Sequence, residues 1–496
     1  MHQGCLVVRG ATRTSPLSEL RAWYRMTTST SSSTMSPVRV GWRSGVLGRS
    51  PLLVGALITG IFAATYTVFA VHQWTRYESP SWDLGIFTQL AKAYSRWEAP
   101  IVPIKGDGFN LLGDHFHPAL VLLGPIYALF PSGLTLLVVQ AVCFAISAGI
   151  VASAATRSLG VIPGLCFGIT LGLSWGLQTA AEAQFHEIAF AVPLLAYSCS
   201  ALADSRYRAA AIAAAPLVFV KEDLGITVAA IAVLLTWRSH DRRWLYLAAW
   251  GIVWFIIAVG IVLPLVNSNG RYAYGFSEAG TDPVAALLTG LTAGPKYEVV
   301  VLLIAVTAGL ALRSPIVLLT LPTLAWRFVS SNENYWGTTW HYNAVLMPII
   351  VVAALDSAIR LTHAHGDARS RVAGGTVLFA PVVAIGLTLA FPLGQSLQPT
   401  SNAIREASAA AVLKQVTAGA RVESDITLLA YLAPRSTAYW SGNTRNPVPD
   451  FYVVDRGLQL DPLGRGAVEA AEDSHPGQRF ELVYDSADFQ VAAHAD

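Results

Sequence analysis

Charge is scarce in this sequence. Only 13% of its 496 residues are Asp, Glu, Lys or Arg, while 53% are hydrophobic. Soluble domains carry about a quarter charged residues, so a fully water-exposed surface is excluded for a chain of this size. A bilayer lifts the requirement, because side chains facing lipid need no polar cover. Cysteine is scarce too. Of Cys5, Cys143, Cys166 and Cys199, the last three lie inside apolar runs and read as small core residues, not disulfide partners. Metal-type cysteine spacing, a phosphate-binding glycine loop and a repeat of solenoid period are all missing. Arginines are scattered at segment ends and not gathered on one face, which speaks against a nucleic-acid partner. The net charge of +2 decides nothing; its distribution does.

What is present is a succession of apolar runs. Residues 1–50, basic and then Ser/Thr-rich from Thr27 to Ser36, read as a disordered cytoplasmic leader, with Met26 and Met35 as alternative starts. Pro51 to Val71 follows as an uncleaved first anchor. Further runs lie at 134–156, 161–181, 188–203, 209–220, 224–237, 244–266, 298–312, 314–328, 344–359 and 373–392. They predict about eleven transmembrane helices within 51–394. Several are shorter than the usual 17–25 residues, which implies tilt or packing inside the bundle. The stretch 117–131, broken by Pro118, Pro125 and Pro131, reads as re-entrant or interfacial, with a short full span as the alternative. Residues 395–496 have a soluble composition and predict a small α/β lobe outside the membrane. A helix from Asn402 to Val416, strands at Arg421 to Glu423 and Phe451 to Asp455, and a helical stretch from Ile426 to Leu432 make it up. The last thirty residues are expected to be partly disordered.

The charges orient this map. With the N-terminus inside, the cytoplasmic loops hold Arg157, Arg206, Arg208, Arg238, Arg242, Arg243, Arg313, Arg360, Arg369 and Arg371. That is the positive-inside bias of a multi-pass plasma-membrane protein. The acids and histidines then gather on the outer face, as does the C-terminus.

The first outer loop carries the leading candidate. Trp82, Ile86, Phe87, Leu90 and Tyr94 recur near helical spacing, so Trp82 to Trp97 is predicted as an amphipathic helix lying along the outer interface. Asp83 sits in its first turn, where the helix dipole favours a carboxylate. Spacing alone leaves Asp83 equally open as a cap after Ser81. Further on, Asp114, His115 and His117 crowd together before Pro118. An extended segment would turn both imidazoles the same way, as two ligands or a phosphate clamp, whereas the bland reading is a polar turn. His186 and Glu187 begin an apolar run, an expensive place for them unless paired. Lys221, Glu222 and Asp223 form a charged hairpin. Lys221 suits a phosphate, and the two acids fit a turn just as well. Arg271 lies in the loop 267–297. His341 ends a loop from Ser330 to Asn343 whose aromatics and amides suit a sugar, although Trp and Tyr also populate any interfacial belt.

As a set, Asp83-Leu-Gly-Ile-Phe87, Gly113-Asp-His-Phe-His-Pro118, Phe185-His-Glu187 and Lys221-Glu-Asp223 resemble a prokaryotic membrane-protein family, domain of unknown function 2079 (DUF2079), grouped with the GT-C glycosyltransferases. The resemblance runs from about Pro51 to Asp455 and includes Leu428 to Arg435 and Tyr452 to Asp455. It implies an all-α polytopic membrane fold with the small α/β lobe. It implies an enzyme that moves a sugar from a polyprenyl-phosphate donor to a hydroxyl on a glycan, lipid or protein at the outer face. Asp83 would be the base; Lys221, Arg271 or His117 would hold the phosphate. A divalent metal is left open, with His115, His186, Glu187 and Asp223 as its candidate ligands. The rival reading is a transporter or flippase, whose polar groups would line a pathway through the middle of the spans; a third is a scaffold that presents the lobe to partners.

Overall fold

The computed structural model describes residues 51–78, 81–267, 270, 272, 293–363, 367–396, 402–458 and 463–495. The leader at 1–50, Arg271 and most of the loop around it lie outside these residues.

The apolar runs read from the sequence are largely helical. Five stretches are long and apolar enough to cross a membrane: Pro51–Thr75, Gly133–Leu159, Val161–Glu182, Arg242–Val266 and His341–Thr362. Shorter apolar helices occupy Pro118–Leu129, Glu187–Ala203, Tyr207–Phe219, Leu224–Ser239, Pro315–Val329 and Gly374–Thr388. Local chemistry marks the ends. The Ser132 hydroxyl accepts the Leu134 N–H at 3.2 Å to start Gly133–Leu159, and Gly160, at φ +100°, stops it. Packing follows from small residues: a Cβ on Gly55 would lie 2.8 Å from the Gly149 carbonyl oxygen, so the first two long helices cross in backbone contact.

The C-terminal part is a five-stranded sheet with helices on both faces. Its strands are β1 (Arg421–Ser424), β2 (Thr437–Trp440), β3 (Phe451–Asp455), β4 (Phe480–Asp485) and β5 (Phe489–His494), in the order β2-β1-β3-β5-β4. β1 runs parallel to β2 and β3, and β5 antiparallel to β3 and β4. Alternation along the strands sorts the side chains. Val422, Val453, Phe489 and Val491 join a core with Ala409 and Val412 of the helix Ala403–Gln415. Tyr452, Val454 and Ala492 pack on Ala467, Ala470 and Ala471 of the helix Ala467–Ser474. Two expectations are corrected here. The last thirty residues are not partly disordered through their length, since that helix and the closing β4–β5 pair fall in them; alanine at strand and helix positions, not the absence of structure, explains their bland composition. The helical stretch expected from Ile426 shrinks to Leu429–Leu432.

The helix that carries Asp83 runs over Ser81–Ser95, with Asp83 in its first turn and Lys92 in its last, both complementing the dipole. It is more buried than the single apolar face of an amphipathic helix predicted. Ser81, Leu84 to Ala91 and Ala93 are all buried. Part of the cover comes from the sheet domain, where Gln89 donates to the Ala438 carbonyl at 2.8 Å and Lys92 to the carbonyls of Ala433 and Ser436, each at 2.9 Å; the helix Leu123–Leu129 packs against it as well, with Gly124 on the Tyr94 backbone.

Candidate functional site

The turn Ala183-Gln184-Phe185 joins two buried helices and delivers His186. Gln184 takes the left-handed backbone, φ +73°, and its carbonyl meets His186 Nδ1 at 3.0 Å. Gln140, on the helix Gly133–Leu159, accepts the His186 backbone N–H at 3.2 Å and donates to the Ala180 carbonyl at 3.1 Å. So anchored, the ring places Nε2 3.3 Å from Asp83 Oδ2, at ion-pair distance but off line for a hydrogen bond. The Asp83 side chain is 40% exposed and that of His186 4%. The His341 ring stacks on His186 with centroids 3.5 Å apart and planes at 22°. Phe87, one turn along from Asp83, stands edge-on to His186 at 5.9 Å and to His117 at 6.1 Å.

Behind this pair lies a buried ionic network centred on Lys221-Glu222-Asp223. Lys221 Nζ meets Glu187 Oε1 at 2.8 Å. Burial alone would push Lys221 down, but the Glu187 carboxylate reverses that and holds the ammonium well above its usual range. Glu222 takes His115 Nδ1 at 2.7 Å and the Phe116 N–H at 2.9 Å, and the Tyr272 hydroxyl donates to it at 3.3 Å. Burial opposes both charges of the His115–Glu222 pair. Each partner more than offsets it, so the imidazole is raised and the carboxyl lowered. Asp223 accepts the Trp326 indole N–H at 3.1 Å, and burial lifts its carboxyl to about 6. Burial likewise drops His117 to about 4, which leaves it neutral at pH 7.

The structure thus brings Asp83, His186 and His341 into one group and ties Glu187, Lys221, Glu222, Asp223 and His115 into another beside it. His115 and His117 do not act as a matched pair: the first is bound to Glu222, the second packs by Phe87. Asp114 is drawn away to Lys105, 2.7 Å off. Arg271 lies outside the described residues. For a metal the fit is poor. His115 is taken by Glu222, Glu187 by Lys221 and Asp223 by Trp326. Among the described residues no three of His, Cys, Asp and Glu converge in a way that could hold an ion.

Some residues escaped the sequence. Arg327 is fully buried and forks to the carbonyls of Tyr335 and Gly337 and to Asn343 Oδ1, at 2.8, 3.0 and 2.8 Å, pinning the loop that carries His341. Its signal was a single charge at the end of an apolar run. Tyr342 packs against His341 at 4.1 Å and Trp326 at 5.9 Å, with no sequence signal beyond its aromatic neighbours.

No curated protein matches this chain. Among solved structures, ArnT from Cupriavidus metallidurans in the apo state is similar at 14% identity and a TM-score of 0.47, over 83% of this chain and 93% of that one. The same protein bound to undecaprenyl phosphate is similar at 14% identity and a TM-score of 0.49, over 86% of this chain and 97% of that one. The family model described as "Predicted membrane protein (DUF2079)" matches residues 76–464, most of the chain and all of the site above. The chain belongs to that family of membrane proteins.

Proposed function

We propose that this chain is a GT-C-type membrane glycosyltransferase, with about eleven spans, a cytoplasmic N-terminus and the α/β lobe on the outer face. It moves a sugar from a polyprenyl-phosphate donor to an acceptor hydroxyl. One observation carries the reading: Asp83 is a part-exposed carboxylate set against otherwise buried polar groups, on the helix that directly follows the first long apolar helix. The sequence resemblance supplies the reaction that such an acid performs.

In this reading Asp83 takes the acceptor's proton. The acceptor oxygen bonds to the anomeric carbon, and the sugar–phosphate bond breaks with its electron pair leaving on the lipid phosphate. Base help of this kind is worth about 10²–10⁴-fold. Lys221 has ammonium donors beyond the one that Glu187 takes and suits the departing phosphate. A transporter would want its ionisable groups at mid-span. Here Asp83, His186, Lys221, Glu222 and Asp223 stand at helix ends.

The test is sugar transfer from a panel of labelled polyprenyl-phosphate sugars in membranes. Asp83→Asn and Asp83→Ala are expected to lose it by about 10²–10⁴-fold. Full transfer by a correctly inserted variant overturns the assignment of the base. Orientation is tested with Glu98→Cys, an exposed position, in a chain with Cys5 replaced by Ser. An impermeant thiol reagent should label it from outside; labelling only from the cytoplasmic side reverses the map.

A further inference from the structure

We propose that Asp83 and His186 handle protons as one unit, with His186 taking over from Asp83 the proton that the acceptor gives up. The proposal rests on the glycosyltransferase reading and adds a positioning residue to it.

The geometry carries it. The Gln184 carbonyl 3.0 Å from His186 Nδ1 assigns the ring hydrogen to Nδ1. A neutral ring of that tautomer presents only a lone pair at Nε2. Yet Nε2 is buried, has no hydrogen-bond partner among the described residues, and stands 3.3 Å from a carboxylate oxygen. Two lone-pair atoms that close repel; a proton on Nε2 turns the repulsion into the attraction of an ion pair. The surroundings hold this arrangement in place. Gln184 adopts a backbone conformation rare for a residue with a side chain, and in doing so aims its carbonyl at the ring. Gln140 fixes the His186 backbone from a neighbouring helix. His341 covers one ring face at 3.5 Å and Phe87 meets the ring edge-on, so water is kept from the imidazole while the Asp83 side chain stays 40% exposed.

The step balances. The acceptor O–H breaks and its electron pair forms the bond to the anomeric carbon. The sugar–phosphate bond breaks onto the phosphate. The proton moves to Asp83 and on to His186 Nε2, leaving a carboxylate and an imidazolium ready to return the proton to the medium. The charged and titratable groups facing the pair are His341 on the stacked loop, Tyr342 beside it, His117 across Phe87, and Glu187, which Lys221 already neutralises. Asp83 supplies the carboxylate oxygen at ion-pair distance from Nε2.

Two measurements on the full chain in lipid nanodiscs test the unit. The first needs no turnover. Ring ¹⁵N shifts of labelled histidine, with the His186 signals identified by their loss in His186→Gln and independently in His186→Asn, give the ring's titration midpoint. Asp83→Asn should lower that midpoint, because the carboxylate facing Nε2 is then gone. An unchanged midpoint overturns the proposal. The second is transfer from labelled polyprenyl-phosphate sugars. His186→Gln should lower kcat by about 10²-fold with KM nearly unchanged, and should remove one limb of the pH–rate profile. Retained kcat and an unchanged profile overturn the relay. Absence of transfer by the unaltered protein with every donor overturns the glycosyltransferase reading alone, while the titration arm still decides the pairing.

Discussion

Glu222 holds two consecutive residues of a distant loop with its two carboxylate oxygens: the His115 ring at 2.7 Å and the Phe116 N–H at 2.9 Å. A buried charged pair of this kind is costly to break from one side. Glu222→Gln is expected to destabilise by about 3 kcal/mol, read as a lower Tm in detergent. The pH dependence has a definite sign. His115 is raised above its ordinary 6.5, so its share of stability is complete below that value and fades as pH climbs through the raised one. Glu222 is lowered below its ordinary 4.5, so its share is present above that value and fades as pH falls through the lowered one. The Tm of the unaltered protein should therefore plateau between about pH 5 and 6.5 and decline on both sides. In Glu222→Gln that curvature should be visibly weaker; an identical profile would refute the pairing.

Lys221→Met leaves Glu187 as a buried carboxylate without its cation. The expected loss is about 3–5 kcal/mol, far more than a surface pair would give. Adding Glu187→Gln should recover a large part, since the uncompensated charge is then gone. A double-mutant cycle on thermal unfolding measures the coupling, and simple additivity of the two losses would count against the ion pair.

How far these partners were legible in the sequence depends on their separation along the chain. The apolar runs announce helices by composition alone. The helix over Ser81–Ser95 was readable from the recurrence of Trp82, Ile86, Phe87, Leu90 and Tyr94. Its burial was not, because part of its cover is supplied by Ala433, Ser436 and Ala438, more than three hundred positions away. Lys221-Glu222-Asp223 was visible as an unusual density of charge. Which acid each cation would choose was set by tertiary contact: Glu222 reaches back 107 positions to His115. Arg327 was passed over because one arginine at the end of an apolar run resembles an interfacial anchor. Only the loop that folds back over it reveals three acceptors waiting for a guanidinium.

Arg327→Lys keeps the charge and loses the fork. Lysine cannot reach the Tyr335 and Gly337 carbonyls and Asn343 Oδ1 together, since its donors radiate from one atom. The loop from Ser330 to Asn343 should loosen, with hydrogen exchange there faster by about tenfold or more and stability lower by about 2 kcal/mol. His341 should lose its fixed place over His186. Unaltered exchange in this loop would show that the arginine is not its anchor.

Gly85 stands two residues after Asp83, where the helix meets the sheet domain, and it has little room for a side chain. A Cβ there would lie 2.9 Å from Ile104 Cδ1, 3.1 Å from Leu429 Cβ and 3.3 Å from the Ala430 nitrogen. The isoleucine tip can swing aside. Leu429 Cβ and the Ala430 nitrogen belong to or adjoin the backbone of the short helix Leu429–Leu432 and cannot. Gly85→Ala gains about 1 kcal/mol of helix propensity and loses a comparable amount to crowding, so it should be close to neutral. Gly85→Val has no such offset. It should cost about 1–3 kcal/mol and push the two helices apart. Displacement of the Asp83 carboxylate by about 1 Å would then lower transfer by about 10²-fold even where the fold survives. Comparing Tm, hydrogen exchange across Leu429–Leu432 and transfer rate for the two variants separates these effects. Wild-type exchange and transfer in Gly85→Val would mean that the sheet domain does not set the position of Asp83.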